Sequence, residues 1–322
     1  MSRNQNQAVV GRFAPSPTGD LHFGSLVAAL ASYCNAKAAG GRWLLRIDDL
    51  DTPRVVAGAA RRILDQLAAL GLVPDGPVMY QSERAEAYRE AIDSLIACGH
   101  AFFCGCTRRE AQAGRVGPEG PIYPGTCRRG LPAGRSARSV RLRVPETAMT
   151  VEDRVQGLVV QHLAEEVGDF VIRRADGITA YQLATVVDDA AQGVTEIVRG
   201  ADLLSSSPRQ RYLQTCLGLP MTAYVHTPVV VDHDNEKLGK RTGALSLTGQ
   251  DPRALIQACL GLLGQADVSG DIPTMIAQAA AQWDASRIPA RQSINRTAEG
   301  IPSTMSTSAH DPTVRDWPSS GN

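Results

Sequence analysis

The stretch Arg12-Phe13-Ala14-Pro15-Ser16-Pro17-Thr18-Gly19-Asp20-Leu21-His22-Phe23-Gly24-Ser25 decides the fold. Val9 and Val10 lead into a short apolar run that ends at Phe13, which reads as a strand. Pro15, Pro17 and Gly19 then force a turn, because two fixed φ angles and a permissive glycine cannot continue a strand. Leu26, Leu30 and Tyr33 recur at helical spacing, so a helix follows, with Asp20 as its expected cap and Gly40 and Gly41 as its stop. A strand, a tight turn and a helix N-terminus leave free N–H groups and a positive dipole end facing one point, which favours an anion. His22 stands at that end, and Gly24 lets a base or phosphate approach the backbone. The plainer reading is a structural histidine at an ordinary helix start.

Outward from this stretch, strand and helix patterns alternate. Trp43–Ile47 reads as a strand; Ile63, Leu67 and Leu70 mark one helix, and Tyr88, Ile92 and Leu95 another. Alternation of this kind predicts an α/β fold with a doubly wound, Rossmann-like parallel sheet. The expected organisation is a first half over 1–103, an insertion over 104–180, a second half over 181–289 and a disordered tail over 290–322, which is rich in Ser, Thr and Pro. Within the insertion Val140, Leu142 and Val144 alternate with Arg141 and Arg143, as in a half-buried strand.

The 322 residues include 33 Lys+Arg and 33 Asp+Glu, so the net charge is zero. Balance excludes a histone-like protein but not a local basic stripe. No apolar run is long enough to span a bilayer, and the polar N-terminus has no signal-peptide core. A cytoplasmic protein without membrane contact is expected, its seven Cys reduced or metal-bound. Nothing points to a coiled coil or a large apolar patch, and a monomer is expected.

Four candidate sites stand out. Cys104-x-Cys106 and Cys127 lie in a Gly/Pro-rich loop, and three such thiols point to zinc rather than to free cysteines. Spacing leaves the fourth ligand open among Cys98, His100 and Tyr123. Asp48, Asp49 and Asp51 follow the strand Trp43–Ile47, where doubly wound sheets bind ligands. Asp48 is suited to a substrate ammonium; Asp49 and Asp51 read as caps before Thr52-Pro53. Lys237-Leu238-Gly239-Lys240-Arg241 sits in a polar loop suited to clamping a triphosphate. Arg108, Arg109, Arg128, Arg129, Arg135, Arg138, Arg141 and Arg143 crowd the insertion, either as a phosphate-backbone footprint for RNA or as a solvated surface.

The two motifs together, His22-x-Gly24 and Lys237-x-x-Lys240 in this order, resemble the "HIGH" and "KMSKS" elements of class I aminoacyl-tRNA synthetases. The run Arg12–Gly19 narrows the resemblance to the glutamyl/glutaminyl branch, over roughly residues 8–289. Two further segments, Tyr181–Asp189 and Glu196–Asp202, resemble that branch as well. The family usually carries Glu where Asp48 stands, and Lys-Leu-Ser-Lys-Gln where Gly239 and Arg241 depart.

The resemblance implies a catalytic domain of this class with a zinc-binding insertion, Tyr123 completing the set of Cys104, Cys106 and Cys127. It assigns Arg12, Ala14, Ser16, Asp48, Tyr181 and Arg199 to L-glutamate. It assigns His22, Gly24, Ser25, Lys237 and Lys240 to ATP, with His22 and Lys240 catalytic and Mg²⁺ on the phosphates. Bidentate arginines suit a dicarboxylic amino acid. A long anticodon-binding domain is expected to be absent. The implied family is therefore the short paralogues that activate glutamate without tRNA and transfer it to queuosine in tRNA(Asp). The alternatives are 3′-end glutamylation of tRNA(Glu) or tRNA(Gln), and a non-catalytic glutamate- or tRNA-binding paralogue.

Overall fold

The computed structural model describes residues 8–231, 247 and 249–295. The first strand, Val10–Phe13, runs parallel to Arg42–Ile47, which pairs in turn with Met79–Tyr80. A second sheet carries Glu196–Gly200 beside Ala223–Thr227, also parallel, and then the hairpin of Met149–Asp153 and Gly157–Gln161. The two sheets meet at Val10: its carbonyl accepts from the Thr195 N–H at 2.9 Å, and its own N–H donates to Thr195 Oγ1 at 2.9 Å. The first strand thus lies between the two halves of a doubly wound arrangement.

The helix Phe23–Ala38 packs across this seam and is buried along most of its length. Its cap is His22, whose Nδ1 accepts from the Ser25 N–H at 3.2 Å. Asp20, the expected cap, instead pairs with Arg62 at 2.5 Å. The imidazole sits at the residue whose backbone is extended just before the helix, so it reaches the orphan N–H first. Past the helix end, a Cβ at Gly41 would meet the Val9 carbonyl at 2.1 Å, so only glycine lets the chain fold back tightly into Arg42–Ile47. Trp43 is buried there and donates from Nε1 to Ser32 Oγ at 2.9 Å. Two late helices, Pro252–Leu262 and Ile272–Ala281, pack against Phe23–Ala38 and are capped by Asp251 and Asp271.

The stretch 104–180 supplies strands to two larger sheets and forms a short hairpin, Val116–Gly117 with Gly120–Pro121. Ser139–Leu142 joins Ala101–Cys104 and Val171–Arg173 in a small antiparallel sheet, whereas the hairpin Met149–Gln161 lies beside Ala223–Thr227. Ser139–Leu142 is buried on both faces, not one. Arg141 is buried because its guanidinium lies 4.0 Å over the Tyr123 ring and donates to the Asp169 carbonyl at 2.8 Å.

The tail boundary at 290 requires correction. Ser293–Asn295 forms a strand parallel to Val229–Val231, and Ile294 is 1% exposed in the main core. One buried apolar residue in a Ser/Thr/Pro-rich stretch is too little pattern to read as a strand. The rest of the expected tail, 296–322, lies outside the described residues. Ile294→Ala is expected to lower unfolding free energy by about 2–5 kcal/mol, the range for a truncated buried aliphatic, as measured by denaturant titration.

Candidate active site

A cleft of about 400 Å³ opens where the parallel strands end. Its wall contains Arg12, Ala14 and Ser16 from the first strand and turn, and His22, Gly24 and Ser25 from the following helix start. Asp48 follows the second strand, Arg199 lies in Glu196–Gly200, and Tyr181 opens the helix Tyr181–Ala191; all three line the same cleft. These positions lie at the carboxyl ends of the strands, the ordinary ligand position of an open α/β sheet. Lys237 and Lys240 lie outside the described residues.

At the phosphate-like end, His22 Nε2 lies 3.0 Å from Ser25 Oγ. Because Nδ1 accepts the Ser25 N–H, the ring proton sits on Nε2. A Cβ at Gly24 would touch only the His22 ring, at 3.4 Å, so that face of the backbone is open.

The opposite end holds three buried guanidinium groups, and their partners differ. Arg12 donates from Nε to Asp189 Oδ1 at 3.2 Å. Arg46 donates from Nη1 to the same oxygen at 2.6 Å, and from Nε to Asp48 Oδ1 at 2.8 Å. Asp189 is fully buried, which pushes its pKa up, yet Arg12 and Arg46 outweigh burial and hold it below the usual carboxylate range. Burial wins at Asp48: its pKa rises to about 6 against the pull of Arg46. Asp188, which precedes Asp189, accepts from Tyr88 at 2.6 Å, Gln81 at 2.9 Å and Arg84 at 3.2 Å.

Arg199 is equally buried but bonded otherwise. It donates from Nε to His226 Nε2 at 3.0 Å, from Nη1 to Gln210 Oε1 at 2.8 Å, and from Nη2 to Ser207 Oγ at 2.9 Å and the Leu203 carbonyl at 3.3 Å. His226 in turn donates from Nδ1 to Asp153 Oδ2 at 2.6 Å. Burial lowers the His226 pKa, opposed by Asp153 and aided by Arg199, and because Nε2 accepts from Arg199 the ring carries its proton on Nδ1. Arg46, Asp189, His226 and Asp153 were not singled out from the sequence. None of them belongs to a local motif, and their convergence arises only when distant elements align.

The other acidic candidates take local partners. Asp49 accepts from the Ser82 N–H at 2.8 Å and hydroxyl at 2.7 Å, joining the loops after the second and third strands. Asp51 precedes a single 3-10 turn, Thr52–Arg54, and pairs with Arg54 at 2.5 Å rather than capping the backbone.

Cys104, Cys106 and Cys127 are buried, with all three sulfurs within 4.8 Å of one another. Cys106 and Cys127 Sγ are 3.7 Å apart; Tyr123 Oη lies 3.4 Å from Cys104 Sγ and 3.6 Å from Cys106 Sγ. A tetrahedral zinc with Zn–S of about 2.3 Å sets its sulfurs about 3.8 Å apart, so these residues fit such an ion. Neither Cys98 nor His100 belongs to the cluster. Around it the arginines divide. Arg141 is buried, Arg143 lies over the Phe102 ring at 4.8 Å, and Arg128 pairs with Asp169. Arg108, Arg109, Arg129, Arg135 and Arg138 are exposed, with Arg135 paired to Glu110 at 2.7 Å.

Comparison with known proteins gives a consistent result. The family "tRNA synthetases class I (E and Q), catalytic domain" matches residues 8–271. A protein of Burkholderia cenocepacia (strain HI2424) named Glutamyl-Q tRNA(Asp) synthetase is 54% identical over 289 residues, covering 87% of this chain and 96% of the relative. One of Thiobacillus denitrificans (strain ATCC 25259 / T1) with the same name is 49% identical over 296 residues, covering 90% and 98%. The crystal structure of a glutamate tRNA ligase from Elizabethkingia meningosepticum superposes with a TM-score of 0.76 at 24% identity, over 90% of this chain and 67% of that one. At that identity the likeness is one of fold. Among the described residues no helix is long and apolar enough to cross a membrane.

The Cys cluster yields a direct test. Elemental analysis of the purified protein is expected to find one metal ion per chain, nearly all of it lost in Cys106→Ser, with a lower melting temperature because metal binding contributes folding free energy. Tyr123→Phe is expected to lose metal and His100→Ala to keep it; the reverse pattern refutes Tyr123 as a ligand.

Proposed function

The chain belongs to the class I tRNA synthetase family of E and Q type and is an enzyme of the ligase class, and from that premise we propose that it activates L-glutamate with ATP, without tRNA, and transfers it to queuosine in tRNA(Asp). The observation that carries the reading is the convergence of Arg12, Asp48, Tyr181 and Arg199 with His22, Gly24 and Ser25 on one cleft. Further support comes from relatives matched over nearly their whole length that bear the name Glutamyl-Q tRNA(Asp) synthetase.

In the first step an α-carboxylate oxygen of glutamate attacks the α-phosphorus of ATP. The bond from that phosphorus to the bridging oxygen breaks, and pyrophosphate leaves. Little acid–base work is needed; the protein positions the reactants and stabilises developing phosphate charge. His22 Nε2–H and the N–H groups at the helix start fit the phosphates, joined by Lys237 and Lys240. Mg²⁺, brought with ATP, neutralises phosphate charge. Arg12 and Arg199 take the carboxylates of glutamate, with Ala14, Ser16 and Tyr181 lining its pocket, and Asp48 takes the ammonium. In the second step a hydroxyl of queuosine attacks the activated carbonyl, losing its proton as AMP leaves. Zinc on Cys104, Cys106, Tyr123 and Cys127 fixes the insertion, whose exposed arginines suit a phosphate backbone. The protein acts as a cytoplasmic monomer in this reading.

Labelled glutamate decides the acceptor. It is expected on tRNA(Asp) bearing queuosine and not on the unmodified transcript, and to persist after enzymatic trimming of the 3′ end. Charging that disappears on trimming identifies a 3′-end synthetase instead. Glutamate-dependent ATP–pyrophosphate exchange without tRNA checks the first step. Lys240→Ala is expected to reduce it about 10²-fold or more, as for loss of one transition-state charge donor.

The raised pKa of Asp48 adds a pH dependence. A carboxyl is anionic above its pKa and neutral below it, so the partner for the ammonium is lost as pH falls through about 6. The KM for glutamate is expected to rise below that pH in the unaltered protein. In Asp48→Asn it is expected to be high and flat across the same range.

A further inference from the structure

We propose that His226 is a positioning residue that keeps the charge of Arg199 available for the substrate by supplying a neutral acceptor where a carboxylate would cancel it. The inference rests on the function proposed above and extends it to a residue outside the cleft wall.

Arg12, Arg46 and Arg199 are each 4% exposed or less. The first two are paired directly with buried carboxylates, Asp189 and Asp48. Arg199 is not: its partners among the described residues are an imidazole, an amide, a hydroxyl and a backbone carbonyl, all neutral. A buried guanidinium without an anion is costly, and a charge left in this state attracts whatever carboxylate enters the cleft. A buried carboxylate that could cancel it, Asp153, is held one imidazole away. Its Oδ1 accepts from the Val155 N–H at 3.0 Å and the Gln156 N–H at 2.8 Å, and its Oδ2 accepts from His226 Nδ1. His226 is 0% exposed, so no solvent competes for either ring nitrogen. The proton on Nδ1 obliges Nε2 to accept, and Nε2 accepts from Arg199 Nε. That bond fixes the rotation of the guanidinium, while Gln210 and Ser207 hold its other edge. The imidazole therefore orients Arg199 and transmits only part of the charge of Asp153.

The test compares three substitutions by glutamate-dependent ATP–pyrophosphate exchange, each variant's fold being checked by thermal melting. His226→Gln offers an amide oxygen to Arg199 and an amide N–H to Asp153. It is expected to hold the KM for glutamate within about threefold, since both bonds survive. His226→Phe removes the acceptor and is expected to raise that KM by about ten- to a hundredfold, the worth of a hydrogen bond to a charged group. His226→Glu puts a carboxylate on Arg199 and is expected to raise it at least as far. In all three the KM for ATP and the kcat are expected to move much less. A KM for ATP that rises in parallel with that for glutamate overturns the role. So does a folded Phe variant with an unshifted KM. If the Phe variant does not fold, equal KM values for Gln and Glu overturn it. No glutamate-dependent exchange by the unaltered protein removes the proposed function and this role together, whereas normal exchange with unshifted variants removes this role alone.

Discussion

A guanidinium leaves water only if something in the protein replaces its hydration, and this chain removes three of them within one cleft wall. Much of the arrangement follows from that requirement. Asp189 must sit between Arg12 and Arg46, which forces the helix Tyr181–Ala191 against the ends of the first two strands. Breaking such a buried pair by deleting one partner typically costs about 3–5 kcal/mol, because the remaining charge is stranded. The bond between Arg12 and Asp189 spans 177 residues of sequence, so it also holds the two halves of the fold in register. The same two halves are joined by the paired bonds of Val10 and Thr195. The cleft therefore forms only when the halves dock, and the groups that close it are the groups that line it.

The parts of this arrangement that were legible in sequence are those with local causes. The turn Ala14–Gly19 and the helix after it follow from proline, glycine and helical periodicity, and the structure forms them as expected. Asp48 was legible from its place after the strand Trp43–Ile47, and Arg12, Tyr181 and Arg199 through family resemblance; the cleft brings the four together. What sequence did not disclose has non-local causes. His226 and Asp153 lie in the parallel strands Ala223–Thr227 and Met149–Asp153, and nothing in either strand names its neighbour. The identity of the cap at the first helix depended on competition: Asp20 is a good cap by type, but Arg62 takes it and His22 is closer. Ser293–Asn295 escaped because one isoleucine among polar residues carries no period, while burial against Val229–Val231 depends on the whole core.

The arginines of the insertion separate along the same line. Sequence presents nine arginines between Arg108 and Arg143 and cannot sort them. Packing does. Arg141 spends its guanidinium on the Tyr123 ring and a backbone carbonyl, and so braces the residue whose hydroxyl faces Cys104 and Cys106. Arg128 and Arg143 tie the cysteine loop to the antiparallel sheet through Asp169 and the Arg128 carbonyl. Only the outer set keeps its charge toward solvent, where the long-range field that attracts a polyanion resides. A cation count by itself overstates such a footprint, because the inward members are already spent on the fold.

The three cleft arginines now divide by what neutralises them, and the division has a chemical consequence. Arg46 gives its Nε to Asp48 and its Nη1 to Asp189, so it serves the wall and not the ligand. By clasping one oxygen of Asp48 it sets the direction of that short carboxylate, a role a longer side chain would need less. Arg12 shares Asp189 with Arg46, so its charge is partly cancelled before any substrate arrives. Among the described residues, Arg199 alone of the three has only neutral partners, with Asp153 kept behind an imidazole. In a site for a dicarboxylic amino acid, the strongest attraction belongs to the group with the least prior compensation. The cleft is thus polarised before it is filled, with an anion at Asp48 and an unquenched cation at Arg199, as a zwitterion with an extra carboxylate requires.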